Sequence, residues 1–473
     1  MNTWYRTLMT GMALAVVAVF LFTISQPASA VPSFARKYET SCMTCHVAPP
    51  KLNAFGRAFK NTGYRMSEDD EDLVKQKKVS LGSPGWKRVW PKGVWPADIP
   101  GGTMLGFTLE MGYGINPSAT VSNEFDGIEE IGLLLGGTVG ETFSFFGDID
   151  LFEEGHPGGI GRLFIQYNHP SHLVNVKLGQ FEPRAVPFSN HLRLIRQTNY
   201  LADVFPTIPA GNFFGFSPNQ KGVEIWGGKE GPGGNGGFMW AFGVVNGEFG
   251  GAAEALEESA ALADLIEELE EAAEEVGGEF DVNSDKDFYV QGSYKIGGLG
   301  VFGSGAASVL AQTNNWRDDS LTIGGYLYRG TTGAFLETGN PLNPEEFNNT
   351  ANTFYRAGIT FDWWFKDLNL IGGYQRNHDQ VTNNFLADVE TFDVEITTIE
   401  ANYVTRWPWI QPAIRFEVVN PDFASGFNRT TISNTLLLRA NVLLALEGSI
   451  SRSGAPNLPP FDDQFKASLR FLF

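Results

Sequence analysis

Beyond residue 102 the chain alternates between apolar and polar positions. In LVNVKLGQF, Val174, Val176 and Leu178 fall on one side and Asn175, Lys177 and Gly179 on the other. AIRFEVVN sets Ile414, Phe416 and Val418 against Arg415 and Glu417, and the closing QFKASLRFLF puts Phe465, Ala467, Leu469, Phe471 and Phe473 opposite Lys466, Ser468 and Arg470. A period of two sends successive side chains to opposite faces of a strand. Such segments of about ten residues recur, separated by Gly, Pro, Asn and Asp clusters that read as turns. The pattern predicts seventeen candidate strands, from 103–116 to 464–473.

Strands of this kind close either a soluble sandwich or a transmembrane barrel. Charged residues confined to one face, aromatics near the segment ends and a final phenylalanine favour an antiparallel transmembrane β-barrel. A single-chain bacterial barrel has an even number of strands. Counted from the two ends, the strands disagree about which side of the membrane the segment 250–285 emerges on. The surplus falls within YKIGGLGVFGSGAASVLAQTNNWRDDSLTIGG, so about sixteen strands are expected. A barrel of that size has a lumen wide enough for a channel or a plug.

Three connecting segments break the alternation. Residues 79–102 (VSLGSPGWKRVWPKGVWPADIPGG) read as a linker, with Trp90 and Trp95 suited to a membrane interface. Residues 182–219 form a long loop without periodicity that could enter the lumen. The insertion AAEALEESAALADLIEELEEAAEEV, 252–276, reads as helix, with ten acidic residues and no basic one. A solvated helix capping a loop is the plain reading. A patch that concentrates cations is the functional one.

The N-terminus is of another kind. Arg6, the apolar run MTGMALAVVAVFLFTI and Pro27-Ala28-Ser29-Ala30 have the layout of a secretory signal peptide over 1–30. No apolar run of that length recurs, so an exported mature chain without a helical span is expected.

The 473 residues carry a formal net charge of -20, 38 phenylalanines and two cysteines, Cys42 and Cys45. A disulfide between them would close a tiny loop and staple almost nothing. With His46 they form C-x-x-C-H, the attachment pattern of haem c: two thiols one turn apart for the two vinyl groups, and the next imidazole for the iron. A thioredoxin-like site needs a βαβ context that VAPPKLNAF lacks. A zinc site needs four ligands, and no second cluster accompanies the first. Leu52, Phe55 and Phe59 recur at helical spacing and could cover a haem edge. Met66 is the nearest methionine outside the attachment turn and is the candidate sixth ligand; an ordinary methionine at a helix end is the alternative. His156, His169, His172, His191 and His378 read as lumen or surface residues, so a peroxidase-like distal pair is missing.

The stretch VPSFARKYETSCMTCHVAPPKLNAFGRAFKNTGYRM, 31–66, resembles the N-terminus of the fused monohaem cytochrome-porins of the outer membrane, among them the iron-oxidising outer-membrane cytochromes. The shared residues are Phe34-Ala35-Arg36, Cys42, Cys45, His46, Pro50, Leu52, Phe55-Gly56, Phe59 and Gly63-Tyr64, and WPADIPG in the linker is similar as well. The resemblance implies a small α-helical monohaem cytochrome domain, 31–78, joined to an outer-membrane barrel, 103–473, with the insertion 250–285 outside the shared pattern. It implies one covalent haem c on Cys42 and Cys45 with His46 as proximal ligand. Electrons would come from an extracellular donor, Fe(II) in the iron-oxidising members, and go to periplasmic carriers such as a c-type cytochrome. Lipid is the expected surroundings and nucleic acid has no part. The alternatives are a solute porin with an accessory haem segment and a cytochrome-porin for another donor.

Overall fold

The computed structural model describes residues 33–67, 70–75, 79–80, 88, 98–99, 105–115, 123–139, 142–153, 157–207, 210, 212, 214–216, 219–247, 285–304, 317–333, 351–383, 388–404, 410–453 and 463–473. The expected signal peptide 1–30, the acidic insertion 252–276, His156, Trp90 and Trp95 lie outside the described residues.

Sixteen strands form a closed barrel. They are β1 (Leu105–Ile115), β2 (Asn123–Val139), β3 (Phe143–Glu153), β4 (Ile160–Tyr167), β5 (Asn175–Phe181), β6 (Gln220–Glu230), β7 (Asn235–Val245), β8 (Asp287–Leu299), β9 (Ser320–Gly333), β10 (Ala351–Phe365), β11 (Leu368–Asn383), β12 (Asp388–Tyr403), β13 (Ile410–Pro421), β14 (Phe427–Arg439), β15 (Val442–Ser453) and β16 (Gln464–Leu472). Each pairs antiparallel with its neighbours in sequence. The seam closes where β16 meets β1, from Phe465↔Ile115 to Leu472↔Thr108. The seventeenth candidate has no counterpart: among the described residues, 294–325 holds the end of β8 and the start of β9 and no further strand. The glycines of that stretch imitate strand punctuation without supplying a strand.

The alternation works as the pattern predicts. Ile414 and Phe416 are 48% and 44% exposed on the outside, whereas Arg415 and Glu417 are fully buried inside. Large apolar side chains such as Ile165, Leu178, Ile359 and Ile432 cover the exterior, a surface that belongs in lipid. Most connections at one end are tight, such as 366–367 and 440–441. Phe107, Phe143, Trp363, Phe365, Tyr403 and Phe473 are exposed around that end, as in an interfacial aromatic girdle. In outer-membrane barrels the short turns face the periplasm. No described helix is long and apolar enough to cross a membrane, which says nothing of the strands.

The lumen is filled by the chain itself. The loop 182–219 enters it, and wall carboxylates accept its amides: Glu224 from Arg184 N at 3.0 Å, Glu447 from Arg196 N at 2.7 Å and Glu417 from Leu201 N at 2.7 Å. Hydrogen bonds to charged groups contribute about 1.5–3 kcal/mol each, and they satisfy a loop that has no ladder of its own. Tyr200 donates to Glu400 at 2.6 Å, and Arg415 lies over the Tyr200 ring at 4.1 Å.

The N-terminal segment fills the rest. It contains the helices α1 (Ser33–Lys37) and α2 (Ala54–Asn61) and a tight hairpin of His46–Ala48 with Lys51–Leu52. Instead of standing apart, it belongs to the same compact unit as the barrel, Val31–Phe473. Its apolar side chains are too few to enclose one another and finish their packing on the wall. Phe34 stacks on Tyr64 at 5.0 Å, and Tyr64 stacks on Phe146 of β3 at 5.5 Å. Within 79–102, Val79–Ser80 pairs with Asp98–Ile99, which ties the two ends of the linker together.

Arg415 sits 3.2 Å from Glu417 and 3.8 Å from Glu400 with no exposure on either side. Arg415→Leu leaves buried carboxylates uncompensated and is expected to cost about 3–5 kcal/mol. Arg376→Leu, which breaks a partly exposed pair with Asp393, is expected to cost about 1 kcal/mol or less. The midpoint of thermal loss of the compact, fast-migrating form on SDS gels measures both; equal shifts would refute the filled-lumen account.

Candidate functional site

Cys42, Met43 and Thr44 form a single 3₁₀ turn, with Ser41 Oγ accepting from Met43 N at 3.2 Å and Cys45 N bonded to Cys42 O at 3.2 Å. Residues three apart eclipse in such a turn, so the two cysteines stand on one side. Both thiols are free. Burial raises Cys42 and pushes the Cys45 thiol up to about 12. Redox-active thiols have depressed values, so the turn lacks the electrostatics of a thioredoxin-like pair.

His46 follows at the start of the hairpin. Its Nδ1 is 3.2 Å from the carbonyl oxygen of Pro50. A carbonyl only accepts, so Nδ1 carries the proton and Nε2 keeps the lone pair. Burial pushes the imidazole down to about 4, which holds it in the neutral form that binds metals. Orientation of a ligating histidine through its other nitrogen is a recurrent feature of metal sites.

α2 is moulded onto the thiol turn. Asn53 caps it, accepting from Gly56 N at 2.8 Å, while its own amide donates to Cys45 O at 2.9 Å and its side chain to Thr44 O at 3.0 Å. A Cβ at Gly56 would come within 2.1 Å of Cys45 O, so only glycine allows the helix this close. Leu52, Phe55 and Phe59, the expected apolar face, are all buried, but so are Ala54 and Ala58, because a helix inside a barrel is covered nearly all round. The C-terminus ends at Thr62, whose hydroxyl donates to Phe59 O at 3.0 Å, followed by Gly63 at φ +74. That is the left-handed position that ends many helices.

Long-range contacts bind this segment to the barrel. Lys51, 1% exposed, donates to Asn369 Oδ1 of β11 at 2.7 Å and to the Leu192 carbonyl of the lumen loop. Arg57 pairs with Asp362 of β10, and Gln411 of β13 donates to Val47 O at 2.9 Å. Val47 packs with Trp364 and Val404, and Ala48 with Leu443 and Leu472, all beside the tight connections. Cys42, Cys45 and His46 therefore belong to the short-turn end of the barrel.

The other candidates are dispersed. Met66 is buried among Tyr38, Phe59 and Tyr64, its amide bonded to Asp70 at 2.8 Å, and no described contact joins it to His46. His169 bonds Ser171 and His172 stacks on Phe302 at 4.5 Å, both near a short turn. His378 bonds Asp393 at 2.8 Å. His191 is different: its carbonyl accepts from Leu52 N at 2.8 Å, and Leu52 is the register partner of His46. Sequence pattern also passed over Lys51 in the hairpin and Arg57 and Lys60 on α2. Among the described residues no group of three or more His, Cys, Asp or Glu is placed to hold a metal ion.

The residues present fit a haem c. Two free thiols on one side of a turn precede an imidazole whose Nε2 lone pair is kept available, and Cys45 packs against the aromatic cluster of Phe34, Phe55, Phe59 and Tyr64.

No protein-family model and no curated protein sequence matches the chain. Among solved structures it is similar to an anion-selective porin from Comamonas acidovorans, at 11% identity over 78% of this chain and 98% of that one, with a TM-score of 0.50. OmpF of Salmonella typhi in complex with daunomycin has 10% identity over 80% and 98%, TM-score 0.47. The outer membrane channel DcaP of Acinetobacter baumannii has 10% over 81% and 99%, TM-score 0.46. The likeness to the Comamonas porin establishes the fold: the protein is a porin-type barrel.

Gly56→Ala gives a test whose sign is diagnostic. Glycine to alanine inside a helix ordinarily stabilises by about 0.5–1 kcal/mol. Here it is expected to destabilise and to raise protease sensitivity across 33–67; a stabilised variant would show that α2 does not rest on the thiol turn.

Proposed function

We propose that the protein is an outer-membrane electron-transfer protein that binds one haem c and carries electrons from an extracellular donor, Fe(II), to periplasmic carriers. The observation that carries this reading is His46, its Nδ1 committed to Pro50, beside two free thiols inside a barrel closed by its own chain. When bound, the haem supplies a one-electron iron couple. Cys42 and Cys45 would hold it, and His46 would offer Nε2 to the iron. Phe34, Phe55, Phe59 and Tyr64 exclude water, and a low-dielectric surround favours the less charged state of a redox centre. The apolar layer is about 30 Å thick and insulating, so a donor that cannot enter the cell requires a protein that spans it. The tight connections near Val47 and Ala48 offer a periplasmic carrier the closest approach to the thiol turn.

Support for the second reading, a solute porin with an accessory haem segment, is the porin-type fold. Against it stand Glu224, Glu400, Arg415 and Glu417, all 0% exposed inside the barrel, where a solute channel would wet them.

Purified protein is expected to show the pyridine haemochrome of haem c, absent in Cys42→Ala/Cys45→Ala. Anaerobic mixing of the oxidised form with Fe(II) is expected to raise the α-band within seconds; no reduction at any pH would remove iron as the donor. In planar bilayers the protein is expected to give no porin-sized conductance. Large steps unchanged by His46→Ala would establish the solute porin instead.

A further inference from the structure

A cavity of about 250 Å³ lies between α2, the first part of the lumen loop and the wall strands β8 to β10. Leu52, the register partner of His46, and Ala54, next to the Asn53 whose amide bonds Cys45 O, line one side of it. Arg57, Lys60, Lys177, Arg184 and Lys295 line it, against the carboxylates of Glu182 and Asp362. Glu224 answers Lys177 at 2.7 Å and Arg184 at 3.4 Å, and Asp318 answers Lys295 at 2.7 Å. Five cations thus face four carboxylates, and the Lys60–Glu182 pair is a long 3.4 Å.

Three donors at this cavity lack a hydrogen-bond acceptor; one is Arg184 Nε, which lies 3.4 Å from Glu224. Arg57 reaches Asp362 through Nη1 only, and its Nη2 is buried without a partner. His191 Nε2 lies 3.3 Å from Nη1 of Arg162. A guanidinium has no lone pair, so Nε2 accepts and Nδ1 carries the proton. That Nδ1 is buried and unbonded. A buried N–H with no acceptor is destabilising, and an unanswered buried cation more so. The wall is therefore complementary to an anion. His191 offers it an N–H, which a carboxylate needs and an iron atom does not.

We infer that this cavity is a carboxylate site for the two propionates of the haem bound at Cys42 and Cys45, with Arg57, Lys60 and His191 as donors. The inference rests on the haem reading above. A porphyrin tethered by its vinyl edge carries both propionates on the opposite edge, and in a dry lumen these need paired donors. The same chemistry could be met by a free anion, and the test separates the two sources.

The holoprotein is examined by resonance Raman spectroscopy, redox titration and ferric spin-state spectra, with haem retention followed by pyridine haemochrome. Arg57→Gln is expected to shift the propionate bending bands and lower the midpoint potential, because a lost cation favours ferric iron. Arg57→Lys keeps the charge and can still reach Asp362, so it is expected to hold the potential near wild type while the bands move, which separates lost contact from misfolding. His191→Ala is expected to shift the bands and leave the spin state unchanged. Bands and potential unmoved in Arg57→Gln and His191→Ala would overturn the inference. So would a spin-state change in His191→Ala, which would make His191 an axial ligand. Saturable acetate binding by the holoprotein, lost in Arg57→Gln, would assign the cavity to a free anion and overturn it as well. Absence of a haemochrome from the wild type would remove the haem reading itself, a result distinct from all of these.

Discussion

Everything inside this barrel depends on the cost of burying polar groups. Sixteen strands enclose a space too wide for their own side chains to fill, and a chain folded into it must satisfy every amide it brings. The wall supplies carboxylates at the heights where the loop 182–219 passes, and cations neutralise those carboxylates in turn. Arg415 shows the arrangement in miniature: it holds Glu417 at 3.2 Å and donates to the Thr198 carbonyl of the loop at 2.7 Å. The charges that look from the sequence like the lining of a water channel are the internal glue of a filled one.

The N-terminal segment is held by the same means. Lys51 is a cation buried among a carbonyl, an asparagine and the ring of Trp364, and burial pushes it down to about 8. Such a residue has value only if its partners are fixed, and they come from β10, β11 and the loop. Thiol turn, loop and wall therefore form one cooperative object, and a change at Asn369 or Asp362 acts on the surroundings of Cys45 and His46.

Strand faces were legible because polarity with a period of two is a local signal. Ile414 and Arg415 could be assigned to opposite sides from eight residues. The surplus strand arose where glycines between 297 and 303 interrupt the pattern without turning it into a new element. The C-x-x-C-H turn stood out because it is confined to five consecutive residues. What escaped was non-local. Arg57 and Lys60 occupy the polar side of an amphipathic helix, and nothing in the adjacent sequence tells that the opposing surface is Asp362, 305 residues away. His191 carries no motif, and its position is set by a peptide hydrogen bond to Leu52 and a guanidinium from β4. Pattern alone resolves which residues face inward, but it cannot tell whether inward means water, loop or cofactor.

The seam between β16 and β1 has a consequence for biogenesis. The segment 33–67 precedes β1 in the chain yet lies inside the cylinder that β1 completes, with Cys42 and Cys45 covered by α2 and the wall. With Cys42 buried and Cys45 half-buried, pairing of the last strand with the first narrows the way to those sulfurs. A haem joined to them as proposed above would be attached most readily while the chain is still open. It would then stay enclosed for the lifetime of the molecule, and replacement would mean a newly synthesised chain.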